Sequence, residues 1–146
     1  MSSLNRRVEL SIPWIVGGLL IIPYSLQLYT FAIAQLGMAM HPIDEATLAL
    51  HGIDPWMVYY GGATSFLESV IVIAFSTLVL RRWPIGRRAL IWVLPVFVIY
   101  DCAYAAFIGA SLVDRLPTVA VDALAWALLV LFPPSRSAAG GSHRGH

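Results

Sequence analysis

At 146 residues, with 59% hydrophobic and 12% charged side chains and a mean hydropathy of +0.78, the chain lies outside the usual range of soluble domains of this length. A lone cysteine, Cys102, excludes an intramolecular disulfide, a cysteine-based zinc site and a CxxC redox pair. The formal net charge is +1 and all nine basic residues are arginine, so no lysine Schiff base can form and retinal or pyridoxal chemistry is excluded.

Apolar runs long enough to cross a hydrocarbon core of about 30 Å predict four transmembrane helices, at 12–35, 56–80, 89–112 and 117–132. They form one membrane domain over 1–134, an all-α antiparallel four-helix bundle. The first run is too long for a signal-peptide core and lacks a small-residue cleavage pattern, so it reads as a retained span. Arg6 and Arg7 precede it. Inside it, Pro23 lacks a backbone donor and frees the carbonyl of Leu19. Tyr24, Gln27, Phe31 and Gln35 follow at helical spacing and read either as an outer entrance to a polar site or as packing contacts.

The loop over 41–55 predicts a short outer interfacial helix, with Pro42, Asp44 and Glu45 in its first turn and Gly52 as its stop. His41 and His51 are ten residues apart, poor spacing for one helical face, so no metal site is expected. No cofactor is expected either, because no histidine falls within a span to hold haem and no phosphate-binding loop, HExxH or GxSxG motif is present.

Span two carries Glu68 behind the small residues Gly61 and Ser65, with Ser69 following. The loop after it holds Arg81, Arg82, Arg87 and Arg88, a topology determinant that can also meet anionic lipid headgroups. In span three Pro95 frees the carbonyl of Ile91, and Asp101 has Tyr104 and Ala105 one turn on. Small pairs at four-residue spacing, Ala105 with Gly109 and Ala123 with Ala127, predict close helix approach. Span four contains Asp122 and, well inside the run, Trp126. The tail over 135–146, rich in Ser, Gly and Ala, reads as disordered and cytoplasmic.

Arginine placement orients the threading. Arg6, Arg7, Arg81, Arg82, Arg87, Arg88, Arg136 and Arg144 fall on one side and Arg115 alone on the other, which puts both termini in the cytoplasm of a cytoplasmic-membrane protein. Trp14, Trp83 and Trp92 mark the inner interface, and Trp56, Tyr59 and Tyr60 the outer one.

Three carboxylates remain inside the spans. Glu68 lies thirteen residues from Arg81, Asp101 thirteen from Arg88 and Asp122 fourteen from Arg136. All three therefore stand roughly 20 Å above the inner arginines, and the Leu19 carbonyl stands near the same level. An ionised acid at that depth costs at least about 2.5 kcal/mol. No base lies within a span to balance it, and only Arg115, seven residues before Asp122, comes near. Protonation or capture of a cation is the expected answer. Two roles stay open for these acids: hydrogen-bonded glue between helices, with Thr64, Ser65 and Tyr104 as local partners, or a site for a proton, a cation or an amine-bearing ligand.

Span two, GGATSFLESVIVIAFSTLVL, followed by RRWPIGRR, resembles the DoxX-like small four-helix membrane proteins, and the arrangement of midplane acids is similar to the emopamil-binding-like sterol isomerases and their ligand-binding relatives. The resemblance implies a four-span architecture and carries no site residue across. The acid that small multidrug-resistance transporters need in span one is missing.

The leading functional expectation is binding or transport of a small apolar or cationic ligand, or a proton, at Glu68, Asp101 and Asp122, with the Leu19 carbonyl, Tyr104 and Gln27 in support. A membrane-embedded isomerase or hydratase acting on a lipid or isoprenoid is the second. The third is a non-catalytic accessory subunit. Membrane lipids, and a homo-oligomer or larger membrane complex, are the expected partners, and nucleic acid is not.

Overall fold

Proline sets the start of three helices. In the computed structural model, which describes residues 3–40, 50, 52, 54–109 and 111–132, a proline occupies the first or second position of Pro55–Leu80, Pro84–Phe107 and Leu116–Leu131. Its missing N–H falls where a helix has no internal acceptor for it, so these positions start a helix at little cost. We label the helices α1 (Ser3–Met40), α2 (Pro55–Leu80), α3 (Pro84–Phe107) and α4 (Leu116–Leu131), with a short 3-10 helix, Leu112–Arg115, leading into α4. No strand occurs among the described residues.

The ends of α1 and α3 differ from the expected span limits of 12–35 and 89–112. α3 stops at Phe107 rather than at 112, because Gly109 takes φ +68, the left-handed conformation that closes a helix and that glycine adopts without steric cost. Gly109 is thus a terminator and not half of a packing pair. α1 begins nine residues before 12 and ends five after 35. The tight connection between α2 and α3 is a Schellman turn: the Trp83 N–H donates to the Leu78 carbonyl (2.9 Å) and the Arg82 N–H to the Val79 carbonyl (2.8 Å). That turn forces Arg82 to φ 59, a conformation costing a non-glycine residue about 1 kcal/mol or more. The outer helix expected over 41–55 and the tail over 135–146 lie outside the described residues, apart from a helical Leu50, Gly52 at φ +66, Asp54 and Pro55, which opens α2.

Each helix packs against two others: α1 and α3 both touch α2 and α4. The shared core is built from one stripe per helix, Ile12, Val16, Leu20 and Tyr24 from α1, Val72 and Val79 from α2, Leu90 and Leu94 from α3, and Ala125 and Leu129 from α4. Four-residue steps along α1 keep that stripe on one face. Small residues set the spacing where the sequence calls for it at Gly61, but also at Gly86, where an added Cβ would lie 2.6 Å from the Leu78 Cβ and 2.8 Å from the Phe75 carbonyl oxygen. Ala123, expected at a helix contact, is exposed, because α4 turns Asp122, Ala125 and Leu129 inward instead.

The outer surface is apolar. Trp14, Trp92, Ile99 and Leu131 are all more than 60% exposed, an arrangement suited to acyl chains rather than water. Three helices are long and apolar enough to cross a membrane, over Ser11–Met38, Trp56–Leu80 and Pro84–Phe107, which marks this as a membrane protein. α4 is apolar but shorter, at 16 residues.

Two side chains repair backbone that helix geometry leaves open. Trp126 Nε1 donates to the Ile91 carbonyl at 3.0 Å, the oxygen that Pro95 strips of its helical partner. Arg87 Nε donates to the Leu129 carbonyl at 3.0 Å, and its Nη2 reaches the same oxygen, which lies in the last turn of α4 and has no partner within the helix. A tryptophan well inside α4 and one arginine of the basic cluster thereby gain structural roles.

Two outcomes follow. Trp126→Phe removes the donor and leaves a carbonyl unsatisfied, so thermal unfolding in detergent should shift down by the equivalent of about 1–3 kcal/mol. Arg82→Gly relieves the left-handed backbone and should raise stability by about 1 kcal/mol in the same assay.

Candidate functional site

The stripe that builds the core of α1 ends on a phenol. Tyr24, one helical turn beyond Leu20, is 1% exposed and points between α2 and α4. On α2, Glu68 and Ser69 occupy the same inward face as Val72, Ser76 and Val79, and on α4 Asp122 shares its face with Ala125 and Leu129. The three helices therefore bring three oxygen-bearing side chains to one point. Tyr24 Oη lies 2.8 Å from Asp122 Oδ2 and 3.1 Å from Glu68 Oε1.

A phenol has one hydrogen. It can donate to one carboxyl group only, and the second contact closes favourably only if the other carboxyl donates its own hydrogen to the phenol oxygen. Two ionised carboxylates flanking Tyr24 would set lone pair against lone pair in a site from which water is excluded. The geometry thus requires at least one of Glu68 and Asp122 to carry a proton. Their environment favours the same answer: Asp122 is 1% exposed and Glu68 5%, with no base in contact with either among the described residues. One atom of the cluster stays unused. Asp122 Oδ1 is buried with no hydrogen-bond partner, as is Ser76 Oγ two turns further along α2 from Glu68.

Asp101 lies elsewhere. It is half-buried on the wall of an open cavity of about 450 Å³ between α1, α2, α3 and the 3-10 helix. Gln27, Thr30 and Phe31 line it from α1, Met57, Gly61, Thr64 and Ser65 from α2, and Tyr100 and Tyr104 from α3, while Arg115 closes it from the 3-10 helix. Tyr100 and Tyr104 stack with ring centroids 6.0 Å apart, and Tyr60 packs on Tyr104 at 5.9 Å, giving the cavity an aromatic side. Arg115 is the base that acts on Asp101 across this space.

The sequence-selected residues thus divide. Glu68 and Asp122 meet, joined by Tyr24. Asp101, Gln27 and Tyr104 share the cavity, so the three acids do not line one chamber. The Leu19 carbonyl receives no described side-chain donor, and the oxygen that α1 contributes at this depth is the Tyr24 phenol, one residue beyond Pro23. Tyr104 is held by the Met57 carbonyl at 2.9 Å rather than by Asp101. Thr64 donates to the Tyr60 and Gly61 carbonyls of its own helix rather than to Glu68. Arg115, the one base expected to reach toward an acid, lines the cavity with Asp101.

Tyr24, read from sequence either as part of an outer entrance or as a packing contact, is the buried donor. Its inward direction was legible in the stripe Ile12, Val16, Leu20, Tyr24, but the partners across the bundle were not. Among the described residues no group of three or more His, Cys, Asp or Glu side chains is arranged to hold a metal ion. His41 and His51 lie outside the described residues. No family model, no curated protein and no solved structure matches this chain.

Gly61 shows how tightly the cavity wall is set. A Cβ there would lie 2.8 Å from Tyr104 Oη, the atom that holds Met57. Gly61→Ala should destabilise the protein by about 1 kcal/mol through loss of that hydrogen bond. In a Tyr104→Phe background the same change should be milder, with a coupling of about 0.5–1 kcal/mol in a double-mutant cycle of thermal unfolding.

Proposed function

We propose that this chain is a multi-pass protein of the cytoplasmic membrane, four antiparallel spans with both termini in the cytoplasm, that binds a small organic cation with an apolar body. Antiparallel threading is supported by the contacts of α1 with α2: Gly17 meets Leu80, Tyr24 meets Glu68 and Phe31 meets Phe66, so positions on α2 fall as those on α1 rise. The fourth crossing is supported by length, since the 3-10 helix and α4 together extend about 32 Å. Orientation rests on the arginines, crowded at the end that carries residues 81–88 and reduced to Arg115 at the other.

The observation that carries the ligand reading is the cavity itself: one carboxylate, Asp101, set beside a stacked pair of tyrosines, with Gln27 and Thr30 opposite. An ammonium group is attracted by a carboxylate and by aromatic faces, and the apolar remainder of such a ligand suits Phe31 and the tyrosine rings. Arg115 is the competing cation. It balances Asp101 until the ligand does, which makes the affinity depend on both residues. Asp101, rather than all three acids together, is then the ligand's partner.

The isomerase reading asks for a carboxylic acid and a carboxylate on one substrate chamber, and among the described residues Asp101 is the one carboxyl group that lines this one. The accessory-subunit reading fits the way Tyr24 caps Glu68 and Asp122 but leaves the cavity without a role.

Binding of benzyltrimethylammonium to the purified full chain in detergent, followed by calorimetry, tests the proposal. Asp101→Asn should weaken binding about tenfold, the equivalent of about 1.4 kcal/mol, and Arg115→Gln should strengthen it. Equal affinity in wild type and Asp101→Asn would overturn the assignment. Orientation is tested separately by a reporter fused after His146, expected in the cytoplasm.

A further inference from the structure

Below the cavity, the phenol of Tyr24 is arranged for more than holding two helices together. Its oxygen is within hydrogen-bond distance of carboxyl oxygens on α2 and α4, and the far oxygen of one of those carboxyls, Asp122 Oδ1, is buried without a partner. A purely structural acid in a packed core is expected to use both oxygens, since each buried acceptor without a donor costs about 1–3 kcal/mol. This one leaves Oδ1 without a donor, and its described side-chain contact is the one that Oδ2 makes with Tyr24. At the other end, Glu68 retains 5% exposure and stands one turn from Thr64 and Ser65, which line the cavity.

We infer that Asp122, Tyr24 and Glu68 form a proton relay that crosses the bundle from α4 to α2 and ends at the foot of the cavity. The transfer balances as follows. Protonated Asp122 donates from Oδ2 to the phenol oxygen while the phenol donates to ionised Glu68 Oε1. The Asp122 O–H bond breaks as the phenol oxygen gains its hydrogen, and the phenol's original O–H bond breaks as Glu68 gains that hydrogen. No electron is transferred to any acceptor: the negative charge moves from Glu68 to Asp122, and the protein ends with the same number of protons. The reverse step, in which protonated Glu68 donates to the phenol oxygen while the phenol donates to ionised Asp122 Oδ2, reloads Asp122, so the buried carboxyl exchanges its proton through Tyr24. Glu68 releases its proton toward Thr64 and Ser65. The charged groups that act on the relay from neighbouring elements are Asp101 of α3 and Arg115 of the 3-10 helix. The relay is independent of whether an organic cation occupies the cavity.

The test is infrared spectroscopy of the purified full chain in lipid nanodiscs at neutral pH, with transfer from H2O to D2O. A protonated-carboxyl C=O band is expected that shifts in D2O and diminishes in Asp122→Asn and in Glu68→Gln. Tyr24→Phe keeps the acids and removes the bridge, so hydrogen–deuterium exchange of the Asp122 carboxyl should slow about tenfold or more. Glu68→Gln interrupts the same chain one step later and should slow it likewise, which decides the matter should Tyr24→Phe fail to insert. Absence of any protonated-carboxyl band, or exchange at the wild-type rate in the variants that fold, would overturn the relay. Loss of benzyltrimethylammonium binding with the band and its exchange intact would count against the cation reading alone.

Discussion

Carboxyl groups in a low-dielectric interior with no base in contact impose the strongest constraint on this protein. Desolvation of an ionised acid is expensive, and the bundle answers it by placing the Tyr24 phenol between Glu68 and Asp122 so that hydrogens, not a counter-charge, hold the site together. That arrangement needs the inward stripes of α1, α2 and α4 to converge at one level, which they do because each stripe is otherwise buried and, apart from Ser69 and Ser76 of α2, apolar. A shift of one residue in α1 would turn the Tyr24 phenol through about 100° and leave Glu68 and Asp122 without the partner they share.

From that point the interior changes character in the two axial directions. Toward the 81–83 turn the core is filled by Val16, Leu20, Val72, Leu90, Leu94 and Leu129, and Gly86 lets α3 meet α2 at backbone distance. Toward the other end the helices part around the cavity, walled by tyrosines and by Asp101 and Arg115. The packed half holds the buried acids in place, and the open half supplies the space that the proposed ligand needs. A chain with so few polar groups concentrates them there: elsewhere in α2 the hydroxyls of Ser69 and Thr77 bond back to their own helix.

The backbone accounting ties the ends of the bundle to its middle. Pro95 opens the Ile91 carbonyl and Trp126 closes it from α4, while the last turn of α4 is closed by Arg87 of α3. Hydrogen bonds at two separate heights thus fasten α4 to α3, and α4 is the shortest of the four helices and carries Asp122. In hydrocarbon, where water cannot serve as the alternative partner, such bonds fix the position of a helix along its axis as well as satisfying its backbone.

Composition and apolar run length were enough to establish a membrane protein with an all-helical fold, because the hydrophobic cost of placing such segments in water depends on residue content and not on arrangement. The prolines foretold which carbonyls would be opened, and the count from the arginines placed the acids near one depth. What the sequence left undecided was direction around each helix axis. A depth count carries no azimuth, so it could not tell that Glu68 and Asp122 face Tyr24 while Asp101 faces the cavity, that Trp126 reaches the carbonyl Pro95 frees, or that Gly109 ends α3 instead of packing in it. Those outcomes depend on which helices are neighbours and on their rotation against one another, and only the packed tertiary structure supplies both.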